Sequence, residues 1–332
     1  MTTSFRVTLS PPTRRWTELH DAMRDARPKA VGFDRRDTLA HPAAMLTRIG
    51  PWRIDLLEAG TLWLDGGAMF GSVPKPLWAK LQPPDERNRI RLAMRCLLLQ
   101  GEGRRILVDD GAGEKLGEKL RDIYRIEYQE HTLERSLAAI ELTVEEVTDV
   151  VLTHLHFDHA GGSTGRSKER LVPRLPRARY YVQRRNWYNA LEPNPRERAS
   201  YMRENFEPLA EAGVVELWEG PQRPWPGIEI FTAEGHTRGQ QLVRVAGPEA
   251  VLYYVADLIP TGSHVRIPFV MGYDVAAIET MAEKRMVLER AAAEGAWVCL
   301  EHDPVLALGR PRAEGDDFGW AETVPAQALS AR

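Results

Sequence analysis

From Trp52 onward the chain alternates short apolar runs with polar, glycine-containing turns, and most of the runs are of strand length. Residues 52–57 and 61–64 flank Glu58-Ala59-Gly60 and read as a hairpin. Residues 92–99 and 105–108, joined at Gly101-Glu102-Gly103, read as a second strand pair. Further strands are expected at 149–153, 179–183, 227–232, 250–255 and 297–300. Helix candidates fall between them, at 114–124, 132–140, 185–191, 197–211 and 275–294. The last is the longest and sets Ile278, Met281, Arg285, Leu288 and Ala292 on a repeating face. Thr143 with Glu146 matches a capping box, in which a hydroxyl and a carboxylate satisfy the free N–H groups of a helix start. Residues 311–332 read as a polar C-terminal tail with room for one edge strand.

The first 48 residues do not follow this pattern. They are rich in Arg, Thr, Pro and Ala and show little periodicity apart from a short helix at 16–27. They lack the apolar core of a secretory signal, and Asp21, Asp25, Asp34 and Asp37 argue against an organelle transit peptide. A loosely ordered N-terminal extension over 1–48 is expected. The loop 65–76 carries Met69 and Phe70 among glycines and prolines, either tucked into the core or forming a flap over a pocket.

Composition changes this picture little. The chain has 332 residues, 43% hydrophobic and 27% charged, as in an ordinary globular protein of one large or two small domains. A net charge of −3 provides no electrostatic footprint for nucleic acid. Nothing approaches the roughly 18 consecutive apolar residues of a membrane span. Cys96 and Cys299 lie inside apolar runs and read as buried free thiols of a cytoplasmic protein. With no CxxC pattern, any metal chemistry must come from His and Asp.

Thr153-His154-Leu155-His156-Phe157-Asp158-His159-Ala160-Gly161-Gly162 packs three imidazoles and a carboxylate into six positions, although the whole chain has only nine histidines. Imidazole nitrogen and carboxylate oxygen are the usual protein ligands of zinc and similar divalent ions. At a strand end, alternation sends His154 and His156 to one side, and the following turn can bring Asp158 and His159 round to face them. Four ligating groups this close could serve two metals.

The strand-end pattern repeats along the chain. Apolar strands run into Asp109, into the His154 cluster, into His236 within Gly235-His236-Thr237-Arg238-Gly239-Gln240, into Asp257 and into His302. Strand ends on one edge of a sheet can converge on one cleft. Asp109 is placed either to orient a ligating histidine or to make a plain turn. The long insert before His236 carries Trp187, Tyr188, Tyr201, Met202 and Phe206, aromatics for the core or for a pocket wall.

This set resembles the five sequence motifs of the metallo-β-lactamase-fold hydrolases: a strand-end Asp, HxHxDH, a glycine-flanked His, a second strand-end Asp and a final His. Through Ala256-Asp257-Leu258-Ile259-Pro260 and Glu301-His302-Asp303 it is most similar to the branch of acyl-homoserine lactonases and methyl-parathion-type hydrolases. The resemblance implies an α/β fold, a four-layer αββα sandwich over residues 49–310. The dimetal site would lie at one edge of the two sheets, with a helical insert between the second and third metal motifs. It implies that His154, His156 and His236 hold one metal, that Asp158, His159 and His302 hold the second, and that Asp257 bridges the two. Asp109 would stand behind them as an orienting carboxylate. The cofactors implied are two divalent metal ions, zinc ahead of iron or manganese.

Zinc lowers the pKa of bound water from 15.7 to about 7. The function implied is therefore hydrolysis by a metal-bridging hydroxide of a lactone or ester bond in a small, partly apolar substrate. Asp158 and Asp257 would be the catalytic carboxylates, and Asp158 would also move a proton. Phosphotriester cleavage is the second reading, and an iron-dependent oxidoreductase or dioxygenase on the same scaffold the third. Three departures stand out. Asp110 adds a carboxylate where many relatives have Thr or Ser, Arg238 and Gln240 alter the third motif, and Pro260 occupies the place of a leaving-group Tyr in some lactone-cleaving members. Tyr253, Tyr254 and Tyr273 are nearby in sequence. The expected partner is a small-molecule substrate, with no nucleic acid and no membrane; a homodimer is left open.

Overall fold

The computed structural model describes residues 46–128 and 131–328. The expected N-terminal extension, with its helix at 16–27, lies outside these residues except for its last three. Two seven-stranded sheets make up the body. The first runs in spatial order Arg48–Ile49, Trp52–Asp65, Arg89–Gly101, Arg104–Val108, Asp149–Val151, Arg179–Gln183 and Val215–Trp218. The second runs Gln222–Trp225, Ile228–Ala233, Gln240–Ala246, Val251–Tyr254, Trp297–Cys299, Leu306–Glu314 and Asp317–Pro325.

The apolar runs decide the layering. In Arg89–Gly101, Cys96 and Leu98 point into a core shared with the helices, while Leu97 and Leu99 point into a second core between the sheets. Leu107 against Ile106 and Val108, and Val150 against Val151, divide in the same way. A strand covered on both faces reads as a continuous apolar run, which is what the sequence shows there. Leu133–Ala138 and Arg184–Leu191 cover the first sheet through Leu133, Leu137, Trp187 and Ala190. Ala277–Ala293 packs against Leu306–Glu314 of the second. The order is helix, sheet, sheet, helix, the expected αββα sandwich.

Several elements differ from the sequence reading. Residues 52–65 form one strand rather than a hairpin: Ala59 and Gly60 make a bulge between Glu58 and Thr61, with Gly60 at φ +121°. The helix expected at 114–124 begins only at Glu118, because the Lys115 ammonium turns inward to the carbonyls of Gly161 and Thr164. Residues 197–211 are not one helix but a turn, a 3-10 segment Arg203–Asn205 and a short helix Glu207–Glu211. Pro208, which has no N–H to offer a preceding turn, sits at the start of that helix. The tail expected from 311 does hold an edge strand, Asp317–Pro325, which closes a hairpin with Leu306–Glu314, turned at Gly315. Its charged outer face, with Arg310 paired to Glu322 at 3.3 Å, disguises the strand pattern.

On the long helix Ile278 is 76% exposed, and the buried face is Thr280, Glu283, Lys284, Val287, Leu288 and Ala291. Met69 and Phe70 belong to the core, with the Phe70 ring stacked on Trp78 and His264 at 5.5 and 4.8 Å. The capping box forms, Thr143 N–H donating to Glu146 at 3.0 Å. Cys96 and Cys299 are free and buried. Among the described residues no helix is long and apolar enough to cross a membrane.

Candidate metal centre

The strand Asp149–Val151 delivers Thr153, whose N–H and hydroxyl both donate to Asp109 at 2.7 Å. That clamp fixes where His154 and His156 leave the sheet. A one-turn helix, Phe157–Ala160, then folds Asp158 and His159 back toward them. Asp109 (φ +58°) and Ala256 (φ +42°), just before Asp257, occupy the left-handed region without being glycine. Each such position costs about 1–3 kcal/mol and persists where its surroundings over-determine it. Two glycines permit close approach of neighbouring backbone. A Cβ on Gly162 would lie 2.1 Å from the Asp110 carbonyl oxygen, and one on Gly235 would lie 2.3 Å from the Thr280 nitrogen. Asp110 itself accepts the Ser163 hydroxyl at 2.5 Å, and burial lifts its pKa to about 7. Its carboxylate therefore ties the 109–113 loop to the histidine loop.

All seven predicted ligating residues come together at one end of the sandwich, and all are buried. His154, His156, His236 and Asp257 form one group, and Asp158, His159 and His302 another. In the first, His156 Nδ1 lies 3.0 Å from His154 Nε2 and 3.2 Å from His236 Nε2. In the second, His159 Nε2 lies 3.2 Å from His302 Nε2, and Asp158 Oδ2 lies 3.9 and 3.8 Å from those two nitrogens. Asp257 stands between the groups, with Oδ2 at 3.0 Å from His236 and Oδ1 at 3.0 Å from His302.

The outward-facing ring nitrogens decide what the inner ones can do. Thr153 spends its hydroxyl proton on Asp109, so its oxygen accepts from His154 Nδ1 at 3.1 Å. His236 Nδ1 donates to Asp274 at 2.9 Å, His302 Nδ1 to the Ala93 carbonyl at 2.7 Å, and His159 Nδ1 to Asp109 at 3.1 Å. A neutral imidazole carries one proton, so each of these rings turns a bare lone pair toward the others. Lone pairs 3.0–3.2 Å apart in a buried site repel unless a proton or a cation lies among them. Nitrogen and carboxylate donors in two such groups fit divalent ions, with the outer partners fixing ring orientation.

Electrostatics agree with that fit. Burial opposes charge on His236, but Asp257 and Asp274 outweigh it and raise its pKa to about 10. For His302 burial is likewise outweighed, chiefly by Asp257, giving about 9. Asp257 is held well below the usual carboxylate range by His236, His159 and His302, against its burial. His154 and His156 shift the other way, burial first and then neighbouring histidines disfavouring their charge, so His236 and His302 are the rings that favour a proton where an ion would sit.

Three contributors escaped the sequence reading, and a fourth, Tyr201, was read only as a core or pocket-wall aromatic. Asp274 holds His236, and Glu301 Oε1 lies 3.1 Å from His159 Nδ1, whose hydrogen bond goes to Asp109. Glu301 could have been suspected from its place before His302; Asp274 carries no local signal. Tyr201 sets its ring against His156, tilted by 59° at a centroid distance of 4.7 Å. Glu197, from the insert, lies 3.7 Å from His156 Nε2. Although burial opposes its charge, His156, Thr237 and Asn189 hold its pKa down to about 2. Of the three tyrosines near Asp257 in sequence, Tyr253 bonds Glu294 and Tyr254 bonds the Arg95 carbonyl, each at 2.7 Å. Burial and then the charges of Tyr124, Asp65, Asp158 and Asp257 push the Tyr273 phenol above its ordinary value.

Known proteins resemble this chain in sequence and fold. A probable metallo-hydrolase of Mycobacterium bovis is 29% identical over 209 residues, 55% of this chain and 64% of the relative. An N-acyl homoserine lactonase of Bacillus cereus is 27% identical over 163 residues, 46% of this chain and 58% of the relative. The chain thus spans less than two thirds of the length of these curated relatives. A crystal structure of a probable metal-dependent hydrolase from Staphylococcus aureus superposes with a TM-score of 0.75 at 29% identity, covering 83% of this chain and 99% of that one. Residues 95–302, more than half of the sequence and the span from the strand before Asp109 to the last histidine, match the Metallo-beta-lactamase superfamily, and the chain belongs to it.

Proposed function

We propose that this protein is a metal-dependent hydrolase that cleaves a lactone or ester bond in a small, partly apolar substrate, with two divalent ions held by the seven residues above. The observation that carries the reading is the convergence of five buried imidazole nitrogens, neighbours 3.0–3.2 Å apart, on Asp257 and Asp158. Such ions supply an acidified water and Lewis-acid polarisation of the substrate oxygen. His154, His156 and His236 hold the first ion, Asp158, His159 and His302 the second, and Asp257 reaches both. Asp158, whose side chain keeps some exposure, also accepts the proton released as water attacks. Zinc suits the nitrogen-rich first group, and redox-silent metal would separate hydrolysis from the iron-dependent alternatives.

Phe157, stacked on Tyr124 at 4.8 Å, and Phe269, edge-on to Phe70, offer apolar walls for a substrate. Tyr273, three residues after Val270 and next to the Asp274 that holds His236, is assigned the leaving-group role that Pro260 cannot take. Pro260 also keeps phosphotriester cleavage as a second reading, because an aryloxide departs without a proton. A chelator-controlled panel of lactones, aryl esters and phosphotriesters on metal-analysed protein tests this. Lactones or esters should be turned over and lost with the metal. Turnover of phosphotriesters alone would select the second reading, and a metal-bound protein inert on all three would refute both.

A further inference from the structure

His156 differs from the other imidazoles of the site: it turns Nδ1 inward and leaves Nε2 facing the insert. That buried Nε2 has no hydrogen-bond partner. The nearest ionic group is Glu197 Oε1 at 3.7 Å, beyond hydrogen-bond length but well within ion-pair range. Glu197 is itself buried and fixed, accepting from Thr237 Oγ1 and from the Asn194 amide, with Tyr201 OH at 3.4 Å. Thr237 follows His236, so one carboxylate touches the loops of two predicted ligands. The insert is also joined to the histidine loop by backbone: Phe157 N–H donates to the Ser200 carbonyl at 2.9 Å, and His156 forms a bridge with Tyr201.

We infer that Glu197 is a positioning residue for the first metal ion, setting the ring orientation and basicity of His156 from the insert and coupling it to the His236 loop. The inference rests on the metal reading above. A ligating histidine ordinarily donates its other N–H to a carboxylate, carbonyl or water, and loss of that partner costs about 10–100-fold in metal affinity. No carboxylate other than Glu197 is placed to do this for His156 among the described residues. The insert, chemically silent in sequence, would then be part of the metal site rather than only a wall.

The test measures stepwise zinc affinity by competition with a chromophoric chelator, together with the stability of the metal-free protein. Glu197→Gln should weaken one of the two ions about 10–100-fold and leave the other unchanged. In a His302→Ala background, where the first group alone remains, the surviving ion should show the same loss. Tyr201→Phe removes a neighbour of the same network but keeps the carboxylate beside His156, so it should lower stability without changing affinity more than a few-fold. If wild type binds no zinc, the metal reading itself fails. If wild type binds two ions and Glu197→Gln binds both as tightly, or if Tyr201→Phe weakens the first ion equally, the inference is overturned while the metal reading stands. Should Glu197→Gln not fold, Glu197→Asp, which withdraws the charge by one methylene, is judged by the same affinities.

Discussion

Glu283 and Lys284 lie as deep in the fold as His154 and His236, yet the two pairs are satisfied differently. Glu283 accepts the N–H groups of Glu234 and Gly235 at 2.8 and 3.0 Å. Lys284 donates to the carbonyls of His264, Arg266 and Phe269 at 3.0, 2.8 and 2.7 Å. Every polar atom has a backbone partner. At the sheet edge the inner ring nitrogens face one another and Asp257, and His156 has no hydrogen-bond partner on its outer nitrogen. A buried polar group with its partners stabilises modestly, and one without them costs the full desolvation penalty. The helix pair is complete as folded; the histidine site is completed by a ligand. The first also supports the second, since Glu283 pins the backbone that presents His236.

The widest way to break this contrast is to remove a ligand. His236→Ala or Asp257→Ala should lower hydrolysis by ~10³-fold or more, as metal activation is worth several kcal/mol. The metal-free protein should unfold at a lower denaturant midpoint, because each truncation leaves the other member of the buried His236–Asp257 pair without its partner. Initial rates and urea melts in chelator read both quantities, and a full rate in either variant contradicts the assignment.

Lys284→Met should leave two ions bound while destabilising the fold by about 3 kcal/mol. The pH dependence of this pair follows from burial. Burial raises Glu283 to about 7, so its contribution is present below its ordinary value near 4.5 and is lost as pH rises through 7. Burial lowers Lys284 to about 7 against Asp274 and Asp317, so its contribution is present above 10.5 and is lost as pH falls through 7. Wild-type stability minus that of Glu283→Gln should therefore decline from pH 5 to 7, and wild type minus Lys284→Met should rise above pH 7. Flat difference curves in metal-free urea melts would show that neither group titrates as its burial requires.

The smallest effect is expected at the site's rim. Tyr273→Phe should lower kcat on alkyl lactones about a hundredfold, the lower end for one proton donor, and barely affect aryl esters, whose leaving group needs no proton. Equal loss on both substrate types would assign Tyr273 to packing instead.

Strand-end residues were legible because each follows a short apolar run, and local alternation decides their side. The long helix was legible in extent, Ala277–Ala293 against 275–294, but not in orientation. Hydrophobicity pointed to Ile278, whereas the buried face carries Glu283 and Lys284, whose suitability depends on carbonyls and amides many residues away. The same limit hid Asp274 and Glu197: a carboxylate becomes an orienting group only when a ring nitrogen is folded onto it. The strand break at Glu58-Ala59-Gly60 misled for a related reason. A glycine at positive φ serves a bulge as readily as a turn, and only the continuing partner strand distinguishes them.

By itself the sequence determined the donor types, their order and the apolar strands that end in them, since residue chemistry and short apolar runs are local properties of the chain; the two-sheet layering was implied by the family resemblance. Only the tertiary structure decided which ring nitrogen of each histidine faces inward, which carboxylates stand behind them and that the insert reaches His156. Those are distances of 3–4 Å between residues up to 209 positions apart, from Ala93 to His302, and no local pattern encodes them.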